Sequence, residues 1–255
     1  DVERSRGLGD VYKRQVLIER RHYMYEKFAD NILLIGHKTR LTMLIELSSG
    51  VSIPAGELAK LANVTPQTAS EHLSKLVKAN LISVNKKGRH CYYKIDNSEI
   101  VDAINALSII SPPMSSKSLK ETTKKEKLSY MRTCYGHIAG KIGVKFTEAL
   151  LENDYLRESK DCYKLTQKGK FWLKKIGIAT EKTMYSKPIP KHIDWTERKN
   201  HIAGPIALQI TEKLIELSWV KKSKINRCLN LTLKGKKAFK TYLNMNITEL
   251  ENEIF

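Results

Sequence analysis

The chain has 255 residues, of which 41% are hydrophobic, and a formal net charge of +18. This composition allows ordinary packed cores, and the length predicts two small domains instead of one. Because no run of 18 or more apolar residues and no signal peptide is visible, we expect neither a membrane partner nor export, and the predicted location is cytoplasmic.

The first fifteen residues have an unusual sequence. The segment 5–15 resembles the translation of a transposase-type sequencing adapter, and residues 1–4 are expected to come from the same read-through. Residues 1–15 are therefore predicted to be an artefact without fold information, with the natural chain visible from Val16. A natural flexible tail is the alternative.

Positive charge is concentrated in the second half of the chain. Residues 16–110 carry 12 basic and 9 acidic side chains, whereas residues 111–255 carry 29 and 15, a net charge of +14. Such a surplus favours sequence-independent attraction to phosphate. AT-rich codon usage also raises the lysine content, so the charge only supports other evidence. The four scattered cysteines are predicted to be reduced thiols: Cys91, Cys134, Cys162 and Cys228.

Three short helices are predicted between residues 37 and 79: one over 37–48, one that begins at Pro54, and one that runs from Thr65-Pro66 to about Ala79. Thr65 can cap the free amides of the third helix, and Pro66 fits its first position. The apolar residues of this helix recur on one face, at Ala69, Leu73, Leu76 and Val77.

Beyond Asn80 the hydrophobic pattern alternates, which predicts strands over 81–84 and 91–95. Between them lies a basic turn in which Gly88 supplies the positive φ of a hairpin. Helix, turn, polar-faced helix and basic hairpin, in this order, form a winged helix-turn-helix. A winged helix that binds another protein is the alternative to one that binds DNA.

The outward face of the third helix has the small polar side chains that suit a major groove. Gln67 can pair with adenine, and the basic turn can hold phosphates. His72 lies at the border of this face, where a phosphate contact and packing against the wing are both open. The predicted DNA-binding residues are Thr65, Gln67, Thr68, Ser70, Glu71, His72, Ser74, Lys75, Lys78, Lys86, Lys87 and Arg89.

Four segments together resemble the ArsR-type winged-helix repressors: 57–59, 65–76, 79–82 and 88–93. The resemblance covers about residues 31–110. It implies a homodimer whose interface is formed by flanking helices near 25–35 and 98–109. It also implies a palindromic operator whose half-sites lie about one DNA turn, roughly 34 Å, apart.

The resemblance does not extend to the metal sites of that family. Residues 57–62 contain no cysteine pair, and the last helix offers Asp96, Glu99 and Asp102 but no histidine. Zinc prefers thiolate and imidazole ligands, so neither family site can be transferred.

Residues 16–110 are predicted to form the DNA-binding and dimerisation domain, 111–128 a linker, and 129–255 a second domain of two repeats at about 134–178 and 198–243. The segment 137–140 (HIAG) recurs as 201–204, and the Leu-Thr-x-Lys-Gly-Lys pattern of 165–170 recurs at 231–236. Each repeat predicts a long helix, a short strand or turn, and a final helix. The expected fold class is mainly α with small β wings (α+β), with a duplicated helical or winged-helix-like C-terminal domain.

The C-terminal half also resembles an extension found behind some ArsR-type domains, through segments 134–140 and 194–198. In those relatives an aspartate often stands where Gly136 is and a cysteine where His192 is. This resemblance implies an architecture and no general activity.

One polar set in the repeats has metal-ligand chemistry: Cys134, His137, His192 and His201. Cys134 and His137, three residues apart, are expected to share a helical face. The set predicts either a metal or effector site, or histidines that pack between helices beside a buried cysteine. No cofactor is assigned, and the effector is unknown.

No phosphate-binding loop, Gly-x-Ser-x-Gly elbow or His-Glu-x-x-His motif is found, and Asp194 and Glu197 resemble helix caps, so the chain is not expected to be an enzyme. The leading hypothesis is a sequence-specific regulator of double-stranded DNA, a homodimeric repressor released by an unknown effector. One alternative is a sequence-indifferent architectural or RNA-binding protein. The other is a metal or metabolite sensor that acts through the C-terminal domain.

Overall fold

The computed structural model describes residues 25–111, 119–178 and 187–252. The predicted adapter segment 1–15 lies outside these ranges. The chain divides into two compact units. The N-terminal unit contains the described residues up to Leu44 together with Ile53–Tyr93. The C-terminal unit contains Ile45–Ser52 and the described residues from Lys94 onward.

The N-terminal unit is a winged helix-turn-helix. Its elements are α1 (25–36), α2 (Lys38–Leu47, which continues into the C-terminal unit), β1 (Ile53–Pro54), α3 (Ala55–Leu61), α4 (Pro66–Lys78), β2 (Ser83–Lys87) and β3 (His90–Lys94). The strands form a sheet in the order β1-β3-β2, with β1 antiparallel to β3. The predicted class of fold, mainly helical with small antiparallel sheets, is confirmed.

Local chemistry explains where α4 begins and which face it buries. The hydroxyl of Thr65 accepts a hydrogen bond from the amide of Thr68 at 3.2 Å, and Pro66 occupies the first turn, as predicted. Ala69, Leu73 and Leu76 are buried. Their burial holds the helix against the core of the unit, which leaves the opposite face in solvent.

The first wing strand begins two residues later than the sequence predicts. Leu81 and Ile82 are buried, and the amide of Leu81 donates to the carbonyl of Leu76, so these residues close the end of α4 instead of extending β2. The sequence also did not predict β1, a two-residue strand that exists because Ile53 pairs with Tyr93.

The C-terminal unit begins with two helices and continues as two halves with the same order of elements. The helices are α5 (Ser98–Ile110) and α6 (Leu119–Tyr130). The first half contains β4 (Arg132–Cys134), β5 (His137–Ala139), α7 (Lys141–Glu152), β6 (Leu156–Glu158), β7 (Cys162–Leu165) and α8 (Gln167–Lys175). The second half contains β8 (Ile189–Ile193), β9 (Asn200–Ile202), α9 (Gly204–Glu216), β10 (Val220–Lys222), β11 (Leu229–Leu231) and α10 (Leu233–Leu243), and α11 (Ile247–Asn252) follows.

Helix α6 occupies most of the segment that the sequence predicts as a linker, 111–128. Lys124 on this helix forms an ion pair with Glu46 at 3.2 Å, and the next residue after the helix, Met131, is fully buried. These tertiary contacts hold a charged segment in a helical conformation that its composition alone does not indicate.

A four-stranded antiparallel sheet, in the order β6-β7-β8-β9, joins the two halves. Reciprocal hydrogen bonds also connect them. The hydroxyl of Thr147 accepts from the amide of Ile202 at 3.1 Å, and the hydroxyl of Thr211 accepts from the amide of Ile138 at 3.0 Å. Equivalent positions therefore make equivalent contacts in opposite directions.

Aromatic residues fill the core of the C-terminal unit. Tyr155 stacks on Trp172 with ring centroids 5.3 Å apart, and Trp219 stacks on Tyr242 at 5.4 Å. Trp219 is thus part of the packed core, and Tyr155 packs against it. No helix in the described part of the chain is long and apolar enough to cross a membrane.

Candidate functional site

The outward face of α4 is a continuous polar surface. Thr68 and His72 on this helix are half-buried. The remaining residues of the helix region that the sequence assigns to DNA contact are exposed: Thr65, Gln67, Ser70, Glu71, Ser74, Lys75 and Lys78. The helix has 13 residues, and its exposed face carries hydroxyl, amide and ammonium groups. A helix of this size can enter a major groove, where these groups can form hydrogen bonds with base edges.

The wing carries exposed cations on a tight turn. Lys86, Lys87 and Arg89 are all exposed, and Gly88 has a φ of +59° between the two strands. A side chain at that φ is unfavourable, so glycine keeps the hairpin tight. The charges therefore project from a rigid loop, as is typical of groups that contact phosphates.

His72 contacts residues at the start of the second helix. Its ring lies 4.6 Å, centroid to centroid, from the ring of His37, the residue just before α2. Its Nδ1 lies 3.5 Å from Nη1 of Arg40, which lies on α2. Burial lowers the pKa of His72, and the neighbouring His37 and Arg40 add to the effect. The ring therefore contacts residues at the start of the second helix, and a phosphate contact from His72 stays a prediction.

In the C-terminal unit, the four residues of the polar set come together. Cys134, His137, His192 and His201 are all buried, and their ligand atoms all lie within 4.8 Å of one another. We call these four residues the Cys-His cluster. His192 lies on β8 and His201 on β9, and the two are paired in the register of these strands.

The expectation that Cys134 and His137 share a helical face is wrong. They are cross-strand partners in the hairpin of β4 and β5. Tyr135 and Gly136 form the turn with φ values of +50° and +92°, which reverses the chain immediately after Cys134. The hairpin directs both side chains to the same centre by a geometry that residue spacing alone does not reveal.

Two residues of α5 contact the cluster, and the sequence analysis does not assign either of them to it. Nε2 of His192 lies 3.1 Å from Oδ1 of Asp102, and Nδ2 of Asn105 donates to Sγ of Cys134 at 3.7 Å. They are polar residues three positions apart on a helix that is otherwise largely apolar. That pattern is the signal by which they could have been found.

Asp194 organises the chain beside the cluster. Its Oδ1 accepts hydrogen bonds from Nη2 of Arg132 at 2.8 Å and from the amide and hydroxyl of Thr196 at 2.9 and 2.7 Å. Its Oδ2 accepts from the amide of Gly140 at 2.7 Å. The expectation that Asp194 caps a helix is wrong, because the residues that follow form a turn and not a helix.

Burial determines the charge of the cluster. Burial lowers the pKa of all three histidines. The pKa of His137 lies well below its usual value, and the pKa of His201 falls to about 3. Asp102 and Asp194 act in the opposite direction at His192 and His201, but they do not outweigh the loss of water. All three imidazoles are therefore neutral near pH 7 and keep a lone pair.

The pKa values of the Cys134 thiol and the Asp194 carboxyl group are shifted in opposite directions. Burial raises the pKa of Cys134, although the guanidinium groups of Arg227 and Arg132 and the Asn105 hydrogen bond favour the thiolate. Burial also acts to raise the pKa of Asp194, but Arg132 outweighs it, and the pKa lies well below the usual range. The carboxylate is consequently charged and the thiol is protonated at neutral pH.

Comparison with known proteins identifies relatives at the level of sequence. Residues 35–85 match a helix-turn-helix domain family. The chain is 38% identical over 216 residues to the uncharacterized HTH-type transcriptional regulator YdfF of Bacillus subtilis (strain 168), across 84% of this chain and 96% of that protein. It is 32% identical over 62 residues to the transcriptional repressor SdpR of the same organism, across 24% of this chain and 69% of that protein.

Solved structures resemble the N-terminal part. NolR from Sinorhizobium fredii is 27% identical, with a TM-score of 0.33 over 35% of this chain and 88% of its own. The homodimeric winged helix-turn-helix domain of Mb0332 from Mycobacterium bovis, a possible ArsR-family regulator, is 19% identical, with a TM-score of 0.33 over 36% and 83%. The similarity to YdfF is too long to be confined to the helix-turn-helix. The chain belongs to the HTH-type transcriptional regulators, and its N-terminal unit is a winged helix-turn-helix.

Proposed function

We propose that the chain is a sequence-specific repressor that binds a palindromic operator as a homodimer and is released by an effector. The observation that carries the proposal is the face of α4, where Gln67, Ser70 and Ser74 are exposed on a helix whose other side is buried. These side chains can form hydrogen bonds with base edges in a major groove. The repressor role is favoured by the similarity to SdpR, which is named as a transcriptional repressor.

The wing supplies the part of the affinity that does not depend on sequence. Lys86, Lys87 and Arg89 are exposed and offer three positive charges within four residues. Cations that meet phosphates release condensed counterions, so the affinity falls as salt rises. Base contacts from α4 and phosphate contacts from the wing therefore make separable contributions to binding.

A second copy of this chain is the partner that suits the exposed apolar residues of α1. Tyr25, Phe28 and Ile32 are exposed and recur at i, i+3 and i+7, on one face of the helix. Phe28 keeps 65% of its surface in solvent. An apolar face of this kind on a soluble winged helix favours a helix-mediated homodimer, and a twofold dimer matches a palindromic operator.

Titration of the full chain against DNA from its own upstream region and against a random duplex of equal length, over a salt series, tests the proposal. We expect binding to the upstream site at least a thousandfold tighter than to the random duplex at physiological salt. Equal, steeply salt-dependent binding to both would contradict it. That result would favour a sequence-indifferent nucleic-acid-binding protein, for which the net charge of +14 in residues 111–255 is the supporting observation.

A further inference from the structure

The Cys-His cluster has the ligand types of a transition-metal site. It offers one thiol and three imidazoles, all buried, from two segments that lie far apart in sequence, the hairpin of β4 and β5 and the strands β8 and β9. Thiolate and imidazole are the ligands that zinc prefers, and hard cations such as magnesium and calcium prefer oxygen. The chemistry therefore selects a zinc-class ion.

The distances within the cluster suit a tetrahedral ion. Nε2 of His137 lies 3.2 Å from Nε2 of His201, and Sγ of Cys134 lies 4.0 Å from Nδ1 of His192. With Zn–N bonds near 2.0 Å and Zn–S bonds near 2.3 Å, neighbouring ligand atoms of a tetrahedron are about 3.3–3.6 Å apart. His137 and His201 are already at this separation, and Cys134 and His192 need to approach each other by only a few tenths of an ångström.

Carboxylates lie behind two of the imidazoles. Asp102 contacts His192 through Nε2, which leaves Nδ1 directed toward the centre. Asp194 faces Nδ1 of His201 at 3.9 Å, which leaves Nε2 directed toward the centre, and this Nδ1 is buried without a hydrogen-bond partner. A carboxylate behind the ring fixes the tautomer and orientation of metal-binding histidines.

We propose that Cys134, His137, His192 and His201 bind one zinc-class divalent ion in a closed tetrahedral site. Four protein ligands leave no open position, which is typical of structural or regulatory sites and not of catalytic ones. The bound ion would turn the Cys134 thiol into a thiolate, and the released proton leaves to solvent. Metal binding at this cluster does not depend on whether the chain binds an operator.

The site would join three parts of the C-terminal unit. The β4–β5 hairpin contributes two ligands from the first half, strands β8 and β9 contribute two from the second, and α5 contributes Asp102 and Asn105 around them. Helix α5 follows the wing strand β3 directly in the chain. An ion at this position would therefore be held beside the helix that follows the wing strand in the chain.

Cobalt(II) titration of the full chain, freed of metal by a chelator under reducing conditions, tests the site. We expect saturation at one ion per chain, with the visible bands of tetrahedral cobalt and a near-ultraviolet thiolate-to-cobalt charge-transfer band, and displacement by one equivalent of zinc. Cys134→Ser should lose the charge-transfer band, and His201→Gln should lower cobalt affinity at least tenfold. Cys228→Ser, which changes a buried cysteine outside the cluster, should behave like the parent chain.

Thermal unfolding keeps the test decisive if a variant is poorly folded. One equivalent of zinc should raise the Tm of the parent chain and of Cys228→Ser, because an ion that binds only the folded state stabilises it. It should not raise the Tm of Cys134→Ser. The proposal is overturned if the parent chain gives no saturable tetrahedral spectrum, or if Cys134→Ser gives the same spectrum and the same zinc-induced rise.

Discussion

Arg132 and Asp194 form an ion pair in which both side chains are buried, with Nη2 of Arg132 2.8 Å from Oδ1 of Asp194. The pair links β4 of the first half to the end of β8 in the second. We expect Asp194→Asn to lower the free energy of unfolding by about 3–5 kcal/mol, because it leaves a buried guanidinium without its counter-charge. Urea unfolding followed by circular dichroism measures the difference.

The control for this variant is an ion pair whose carboxylate is exposed. Lys213 and Glu216 lie 2.7 Å apart on α9, with the glutamate side chain 67% exposed. Glu216→Gln should change the free energy of unfolding by no more than about 0.5 kcal/mol. A loss for Asp194→Asn no larger than that of the control would show that the buried pair does not stabilise the unit.

Asp102→Asn tests the carboxylate behind His192. Loss of this partner should weaken cobalt affinity about 10–100-fold without removing the thiolate charge-transfer band, because the four ligands stay in place. Spectroscopic competition with a chelator of known affinity measures the change. Asp102→Glu should restore part of the affinity, and Glu99→Gln on the same helix should leave it unaltered. Full affinity in Asp102→Asn would contradict the role of this carboxylate.

Phe28→Asp tests the apolar face of α1. A charge at the centre of a buried helix interface is costly, so the variant should shift the chain from dimer to monomer at micromolar concentration. Sedimentation velocity gives the mass. Phe171→Asp changes another exposed aromatic residue, on α8, and should not alter the mass. A dimer in both variants would show that this face is not the interface.

Gln67→Ala should relax base preference. The operator affinity should fall about 5–150-fold, corresponding to about 1–3 kcal/mol for a bidentate base contact, whereas affinity for random DNA should hardly change. Fluorescence anisotropy with both duplexes measures the ratio. Equal losses on the two duplexes would assign Gln67 a backbone contact instead.

Lys87→Ala should weaken binding to operator and random DNA alike, and reduce the slope of log affinity against log salt by about 1. Lys164→Ala removes an exposed lysine of the C-terminal unit and serves as the matched control. An unchanged slope in Lys87→Ala would show that the wing does not hold phosphates. A reduced slope in Lys164→Ala would place phosphate contacts in the C-terminal unit.

Local signals in the sequence predict the winged helix well. Thr65-Pro66 marks the start of α4 and Gly88 marks the wing turn, because caps and tight turns depend on a few adjacent residues. Strand β1 could not be predicted in this way, since its two residues are extended only through pairing with Tyr92 and Tyr93.

The Cys-His cluster shows where such prediction ends. The sequence shows the ligand chemistry of Cys134 and His137, but their spacing of three residues indicates a helix. The spacing does not reveal that Tyr135 and Gly136 adopt positive φ values and form the turn of a hairpin. The contact between Asp102 and His192 joins residues 90 positions apart, and no local pattern encodes it. Tertiary packing decides such pairs.

The reciprocal hydrogen bonds of Thr147 and Thr211 make the two halves of the C-terminal unit depend on each other for folding. If the second half opens, the buried hydroxyl of Thr147 loses the amide of Ile202, and the amide of Ile138 in the first half loses its acceptor. Either half alone would also expose its share of the hydrophobic core that the two halves have in common. We therefore expect the two halves to unfold in one cooperative transition.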